Sequence, residues 1–359
     1  PPSNVTSVRM SARTKGSGTH RSAQRLKTSP SRASMARTIP PSARTGDMQS
    51  SYLWLGGFGL LLIAILLPYF ACKRETNALD DAARGARGGS YITLSDGVTH
   101  YELMGPPRAP VAVLIHGGTI PFYAWDAQVP TLLDAGFRVL RYTQYGRGYS
   151  DRPELSYDRA LYQRQLEELL TELRIEGPLT LIGVSFGGAI AATFAEAHPE
   201  RVDKLVLIAP VVDYAEGKAL FDLAKVPGVA EWYARVFAVR SAVARATGFF
   251  EEANADPSYA ERFDAQTRFE GFEHALLSFS RTDALAPYYE TYAALGDQPK
   301  LLIWGADDPE ILAAHIEQLR SSMSRVTYVE IEGAGHGVAV ESQSEVNRHL
   351  SAFLAIPSD

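Results

Sequence analysis

The chain has 359 residues, 46% of them hydrophobic, with 35 Lys/Arg against 41 Asp/Glu and a net charge of −6. That length allows one sizeable core with appended segments, and the single cysteine, Cys72, excludes a disulfide within the chain. Charge is unevenly spread: residues 1–50 carry nine Lys/Arg and one acidic residue, Asp47, which leaves −14 for the remainder, a balance that argues against a nucleic-acid partner.

The basic segment 1–50 is rich in Ser, Thr and Pro and has too little apolar surface to build a core, so it is expected to be a disordered tail. Its Arg/Ser-rich, acid-poor composition also suits a targeting segment, and Met48 offers an alternative start. An uncharged run follows from Tyr52 to Ala71, long enough to cross a bilayer, with Tyr52, Trp54 and Tyr69 near its ends and Lys73-Arg74 beyond it. The expectation is a single-pass membrane anchor. The alternative is a signal segment, which would leave a secreted or periplasmic enzyme. The basic tail favours an enzyme outside the membrane, whereas a start at Met48 makes Lys73, Arg74, Arg84 and Arg87 favour one inside. Residues 72–88 read as a flexible linker.

From Gly89 onward strands and helices alternate. Strands are expected at Tyr91–Leu94, Thr99–Leu103, Val111–Ile115, Arg138–Tyr142, Leu179–Ile182, Lys204–Ile208, Lys300–Trp304 and Val326–Ile331, with helical patterns such as Asp158–Leu173 between most of them. The first two form an antiparallel hairpin through Asp96-Gly97, and the rest imply a mostly parallel sheet with helices on both faces. Alternation stops between Ile208 and Lys300. Residues 211–299 are helical and rich in aromatics, among them Phe221, Trp232, Tyr233, Phe249, Phe263 and Phe279, and read as a helical cap over the ligand-binding edge of the sheet. The core is then 89–210 and 300–359.

Chemistry concentrates in the turns after the strands. Gly183-Val184-Ser185-Phe186-Gly187 lies between a buried strand and a run of helix formers, so Ser185 should sit on a strained strand-to-helix turn with its hydroxyl exposed. The N–H of Phe186 would then point where an oxyanion forms. Serine needs a base to take its proton, and His336, between glycines after the last strand, supplies one. The base needs a carboxylate, and Asp308, three residues past Gly305, is preferred over its neighbour Asp307 on that spacing. Pro309-Glu310-Ile311-Leu312 reads as a helix start. Gly118, in His116-Gly117-Gly118-Thr119, offers a second oxyanion N–H, and His116 reads as a structural hydrogen-bonding group within that loop. No metal cluster, phosphate loop or dinucleotide fingerprint appears, so no metal or cofactor is expected.

Together these segments resemble the α/β-hydrolase superfamily over most of Gly89 to Leu354, and within it the capped serine esterases and lipases of the monoacylglycerol-lipase-like type. The stretch Tyr142 to Ser150 is similar to the family's strand-4 loop, with Thr143 where an aspartate is usual. The resemblance implies an α/β-hydrolase fold of eight strands with a cap inserted after strand 6. It implies a Ser185–Asp308–His336 triad acting on a small apolar ester, with the membrane as partner through the N-terminal helix. Haloalkane dehalogenases and epoxide hydrolases, which are similar in fold, carry an aspartate at the position of Ser185. C–C bond or thioester hydrolysis by the same triad is the alternative, and a non-catalytic ligand-binding protein on this fold is a further one.

Overall fold

The computed structural model describes residues 42–213 and 225–355, with side chains from residue 50 onward. The expectations for residues 1–41 and for Phe221 lie outside the described residues. The chain divides into two units, Pro1–Leu60 and Leu61–Asp359. Helix Ser42–Ala71 contains the apolar run, so the tail reading of 1–50 fails at its end: residues 42–50 are helical. Once the apolar turns exist, extending a helix costs far less than starting one. The stretch Ser50–Ala71 is long and apolar enough to span a bilayer, as an anchor or a signal sequence would be, and none of it is buried.

Residues 72–88 are not a free linker. They contain helix Asp81–Arg87, capped by the Asp80 carboxylate on Ala83 N. Arg74 pairs with Asp264, the buried Arg84 pairs with Asp151, and Asn77 forms a parallel bridge with Phe269. Composition read this segment as loose because its partners lie far along the sequence.

The sheet has eight strands: β1 (Ser90–Leu94), β2 (Gly97–Met104), β3 (Val111–Ile115), β4 (Arg138–Tyr142), β5 (Leu179–Val184), β6 (Val202–Ile208), β7 (Lys300–Gly305) and β8 (Val326–Ile331). Their spatial order is β1-β2-β4-β3-β5-β6-β7-β8. The β1–β2 and β2–β4 pairs are antiparallel and all others parallel. The continuous apolar runs of β3, β5 and β7 follow from helices covering both faces, and two core clusters occupy those faces. Removing a side chain such as Leu181 or Leu302, both fully buried, would cost about 2–5 kcal/mol. Helix Arg159–Glu172 matches its expected span, with Asp158 accepting from Leu161 N at its start.

Between β6 and β7 the described residues form helices: Val229–Tyr233, a π turn Ala234–Ala238, Val239–Glu252, Ser258–Gln266, Phe272–Arg281 and Tyr289–Ala293. Phe250, Phe263, Phe269, Phe272 and Phe279 are buried, whereas Phe237 is 49% exposed. Small helical layers need such rings for packing.

Candidate active site

The C-terminal ends of three parallel strands deliver the candidate residues. β5 runs into Ser185, whose φ of 53° and ψ of −122° lie outside the region that side-chain-bearing residues favour. Such a conformation costs on the order of 1–3 kcal/mol and persists only when the surroundings over-determine it. Here Ser185 N donates to Ile208 O at 2.9 Å, and Ser185 O accepts from Gly188 N at 2.9 Å and Val211 N at 3.1 Å. The flanking glycines are steric necessities. A Cβ on Gly183 would stand 2.3 Å from Gly187 O, and one on Gly187 would stand 2.1 Å from Ile115 O.

β7 delivers Asp308 and β8 delivers His336. The two loops are tied by Asp307 N donating to Ala334 O at 2.9 Å. His336 Nδ1 is 2.8 Å from Asp308 Oδ2, and His336 Nε2 is 2.9 Å from Ser185 Oγ. Asp308 Oδ1 accepts from Glu310 N at 2.8 Å and Ile311 N at 3.0 Å, which locks the carboxylate while Oδ2 faces the ring. Asp308 is buried and Asp307 exposed. The segment Pro309 to Leu312 is a turn rather than a helix start; the helix spans Ala313–Ser322. The turn bonds that Asp308 accepts from Glu310 and Ile311 take the place of a helical first turn.

Burial alone would lower the pKa of His336. The Asp308 hydrogen bond and the nearby charges of Glu310, Asp308 and Glu341 outweigh burial and raise it above 6.5. Neither glutamate stands out in the sequence. Glu310 reaches the ring from a loop, with Oε2 3.6 Å from His336 Nε2. Glu341, six residues past Gly335, accepts its N–H at 2.5 Å. The only local signal for them was an acidic residue close to Asp308 or His336.

The loop after β3 backs onto the serine: a Cβ on Gly117 would lie 3.3 Å from Ser185 Cβ. A Cβ on Gly118 would lie 3.8 Å from Phe186 Cβ, so Gly118 and Phe186 are neighbours at the serine. The buried Arg147 holds this loop, its Nε donating to Gly118 O at 2.6 Å. His116 is fully buried, accepts from Gln144 N on Nε2 at 3.0 Å, and is kept neutral by burial, with its pKa pushed down to about 3. Its Nδ1 is 2.7 Å from Gly117 O, so both ring nitrogens are engaged by backbone groups. Thr143, in place of the usual aspartate, is buried and accepts through its carbonyl from Ser150 Oγ at 2.6 Å and Gln165 Nε2 at 3.1 Å. Among the described residues, no group of three His, Cys, Asp or Glu side chains could hold a metal ion.

A cavity of about 620 Å³ opens over Ser185 and His336, roofed by the helices between β6 and β7 and floored by the loops after β3, β5, β7 and β8. It falls within the usual range for small-molecule sites, roughly 300–1,000 Å³. The arrangement provides a hydroxyl, a base in contact with it and an oriented carboxylate, at a partly open and mostly apolar cavity.

A profile described as the alpha/beta hydrolase family matches residues 112–349. A putative non-heme chloroperoxidase of Synechocystis is 38% identical over 113 residues, 31% of this chain and 40% of that protein, so the match spans well under two thirds of that relative. A non-heme chloroperoxidase of Streptomyces lividans is 26% identical over 280 residues, covering 73% of this chain and 98% of that one. The enol-lactonase from Burkholderia xenovorans superposes with a TM-score of 0.64 at 20% identity, covering 74% of this chain and all of that one, a likeness of fold alone. These relatives bear other names than the monoacylglycerol-lipase type that the motifs resemble.

Proposed function

We infer that this chain, which belongs to the alpha/beta hydrolase family, is a serine hydrolase of the capped esterase or lipase type that cleaves carboxylic esters. The observation that carries this reading is the unbroken hydrogen-bonded series Ser185 Oγ–His336–Asp308, with steps of 2.9 and 2.8 Å. Ser185 Oγ attacks the ester carbonyl carbon while His336 Nε2 takes its proton. The carbonyl electron pair moves onto oxygen, where the N–H groups of Gly118 and Phe186 receive it. The pair returns, the C–O bond to the alcohol breaks, and His336 gives its proton to the departing oxygen. Water then attacks the acyl-serine with its proton passing to His336. The acid leaves as His336 returns the proton to Ser185. Asp308 holds Nδ1–H throughout, fixing the tautomer and stabilising the charged ring.

The apolar stretch Ser50–Ala71 anchors this domain in a membrane in the same reading; its length and the lack of any buried residue in it support that placement. Two experiments test the two parts. A fluorophosphonate probe should label the full chain and leave Ser185→Ala unlabelled; equal labelling of both would remove Ser185 from the role. The full chain should stay with membranes through carbonate extraction, and release into the soluble fraction would overturn the anchor.

A further inference from the structure

The cavity over Ser185 has an unusual roof. The segments Val229–Tyr233, Ala234–Ala238 and Val239–Glu252 follow one another without interruption as one helical rod with a π turn in its middle. Ala230, Ala234, Ala238, Ala242 and Ala246 all line the cavity. At 3.6 residues per turn, positions four apart drift steadily around a helix. The wider π turn takes up part of that drift and keeps the alanines over the same space. Alanine is the best helix former that still leaves the space empty, whereas leucine at these positions would fill it. From Ala230 to Ala246 the rod advances roughly 24 Å at 1.5 Å per residue. An extended chain advances about 1.2 Å per bond, as three backbone bonds per residue cover up to ~3.6 Å. The roof therefore matches on the order of twenty bonds of straight hydrocarbon.

The two ends of the rod meet different surroundings. Near one end, Phe249 packs on the residue beside the base: a Cβ on Gly337 would stand 2.1 Å from the ring. Near the other, Trp232 Nε1 donates to Ile65 O at 2.8 Å, and the Arg235 guanidinium lies 4.2 Å from the centre of the Tyr69 ring. Ile65 is inside the apolar run, six residues from its end, or roughly 9 Å at 1.5 Å per residue. Whatever surrounds Ile65 also surrounds the start of the rod. Val226 just before the rod, Val229 at its first position and Phe237 in the π turn are 46%, 45% and 49% exposed.

We propose that the cavity takes one long, unbranched hydrocarbon chain laid along Ala230 to Ala246, and that the substrate is a long-chain acyl ester drawn from the bilayer past Val229 and Phe237. This rests on the esterase and anchor readings above. The chain lies under the alanines, the ester carbonyl stands at Ser185, and the rod both measures the chain and reaches the lipid that supplies it.

The test uses the full chain in phosphatidylcholine vesicles. The ratio of kcat/KM for p-nitrophenyl palmitate to that for the butyrate should fall at least tenfold in Ala238→Leu; an unchanged or higher ratio overturns the proposal. Binding of the fluorescent eighteen-carbon cis-parinaric acid, followed in the Ser185→Ala background, should weaken at least tenfold when Ala238→Leu is added, and equal binding overturns it. Should Ala238→Leu melt early, Ala238→Ser, close in volume but polar, should shift both readouts in the same direction. Phe237→Glu places a charge where hydrocarbon is expected and should raise KM for vesicle-borne palmitate at least fivefold; an unchanged KM overturns the membrane route. Absence of turnover on every ester would sink the esterase reading, while cis-parinaric acid binding would still decide on the channel.

Discussion

Glu310 Oε2 lies 3.6 Å from His336 Nε2, the same nitrogen that faces Ser185 Oγ at 2.9 Å. The imidazole therefore sits between two carboxylates, Asp308 on Nδ1 and Glu310 beside Nε2. Burial opposes the charged ring, and the Asp308 bond and the Glu310 charge are the leading effects that overcome it, leaving the pKa above 6.5. His336 works as a base only when neutral, so activity should be lost as pH falls through this raised value. Glu310→Gln removes a charge that favours protonation. The acidic limb of kcat/KM against pH should then move to lower pH, toward 6.5. A limb that stays in place or moves upward on p-nitrophenyl butyrate between pH 5 and 9 would falsify this role for Glu310.

Ser185→Ala should leave the melting temperature near wild type and lower kcat about 10⁴-fold or more. The two aspartates should separate sharply. Asp308→Asn alters the group that receives Nδ1–H and should lower kcat about 10³–10⁴-fold. Asp307 is exposed, and its backbone N–H, not its carboxylate, ties it to Ala334 O, so Asp307→Asn should stay within a fewfold of wild type. The opposite ranking in purified variants would transfer the acid role.

Arg147 is 1% exposed and donates through Nε to the carbonyl of Gly118. It also stacks near the Phe272 and Phe279 rings, 5.9 and 5.5 Å from their centres. A lysine can carry the charge but not the planar fork. Arg147→Lys should let the Gly118 loop drift and lower kcat about 10–100-fold, with KM for a short ester changing much less. A proportionate loss of folded protein with normal kcat per folded molecule would reduce Arg147 to a packing residue.

Ser185, Asp308 and His336, which the fold brings into contact, stood out in the sequence because each sits in a turn whose signal is local. Ser185 has its glycines and flanking strand and helix within a dozen residues, and Asp308 and His336 follow strands with their own apolar patterns. The spans of β3, β5 and β7 were legible for the same reason, since burial on both faces leaves a continuous apolar run. What stayed hidden depends on contacts distant in sequence. Arg84 finds Asp151 from 67 residues away, which turns an apparent linker into packed structure. Glu310 looked like the first turn of a helix, and only the folded loop brings it to His336. The alanines from Ala230 to Ala246 carry no signal of their own, because a sequence does not reveal that the space beside them is empty.

The segment 72–88 yields the last prediction. Glu75 Oε1 accepts from Glu273 N at 2.6 Å, Thr76 N donates to Arg268 O at 2.9 Å, and Glu270 N donates to Asn77 O at 3.0 Å. Arg84 adds its pair with Asp151, whose other oxygen accepts from Val98 N at 2.7 Å. A chain beginning at Cys72 keeps all of these bonds, and one beginning at Gly89 loses those made by residues 74–84. Hydrogen bonds to charged groups contribute about 1.5–3 kcal/mol each. A domain of this size shifts its melting temperature by about 2–4 °C per kcal/mol. The chain from Gly89 should therefore melt at least about 5 °C below the chain from Cys72, while both turn over a short soluble ester at the same rate per folded molecule, since Ser185, Asp308 and His336 lie downstream. Coincident melting curves would mean that the ordered segment adds nothing to stability. A lower rate per folded molecule for the shorter chain would mean that its contacts with residues 264–273 also shape the site.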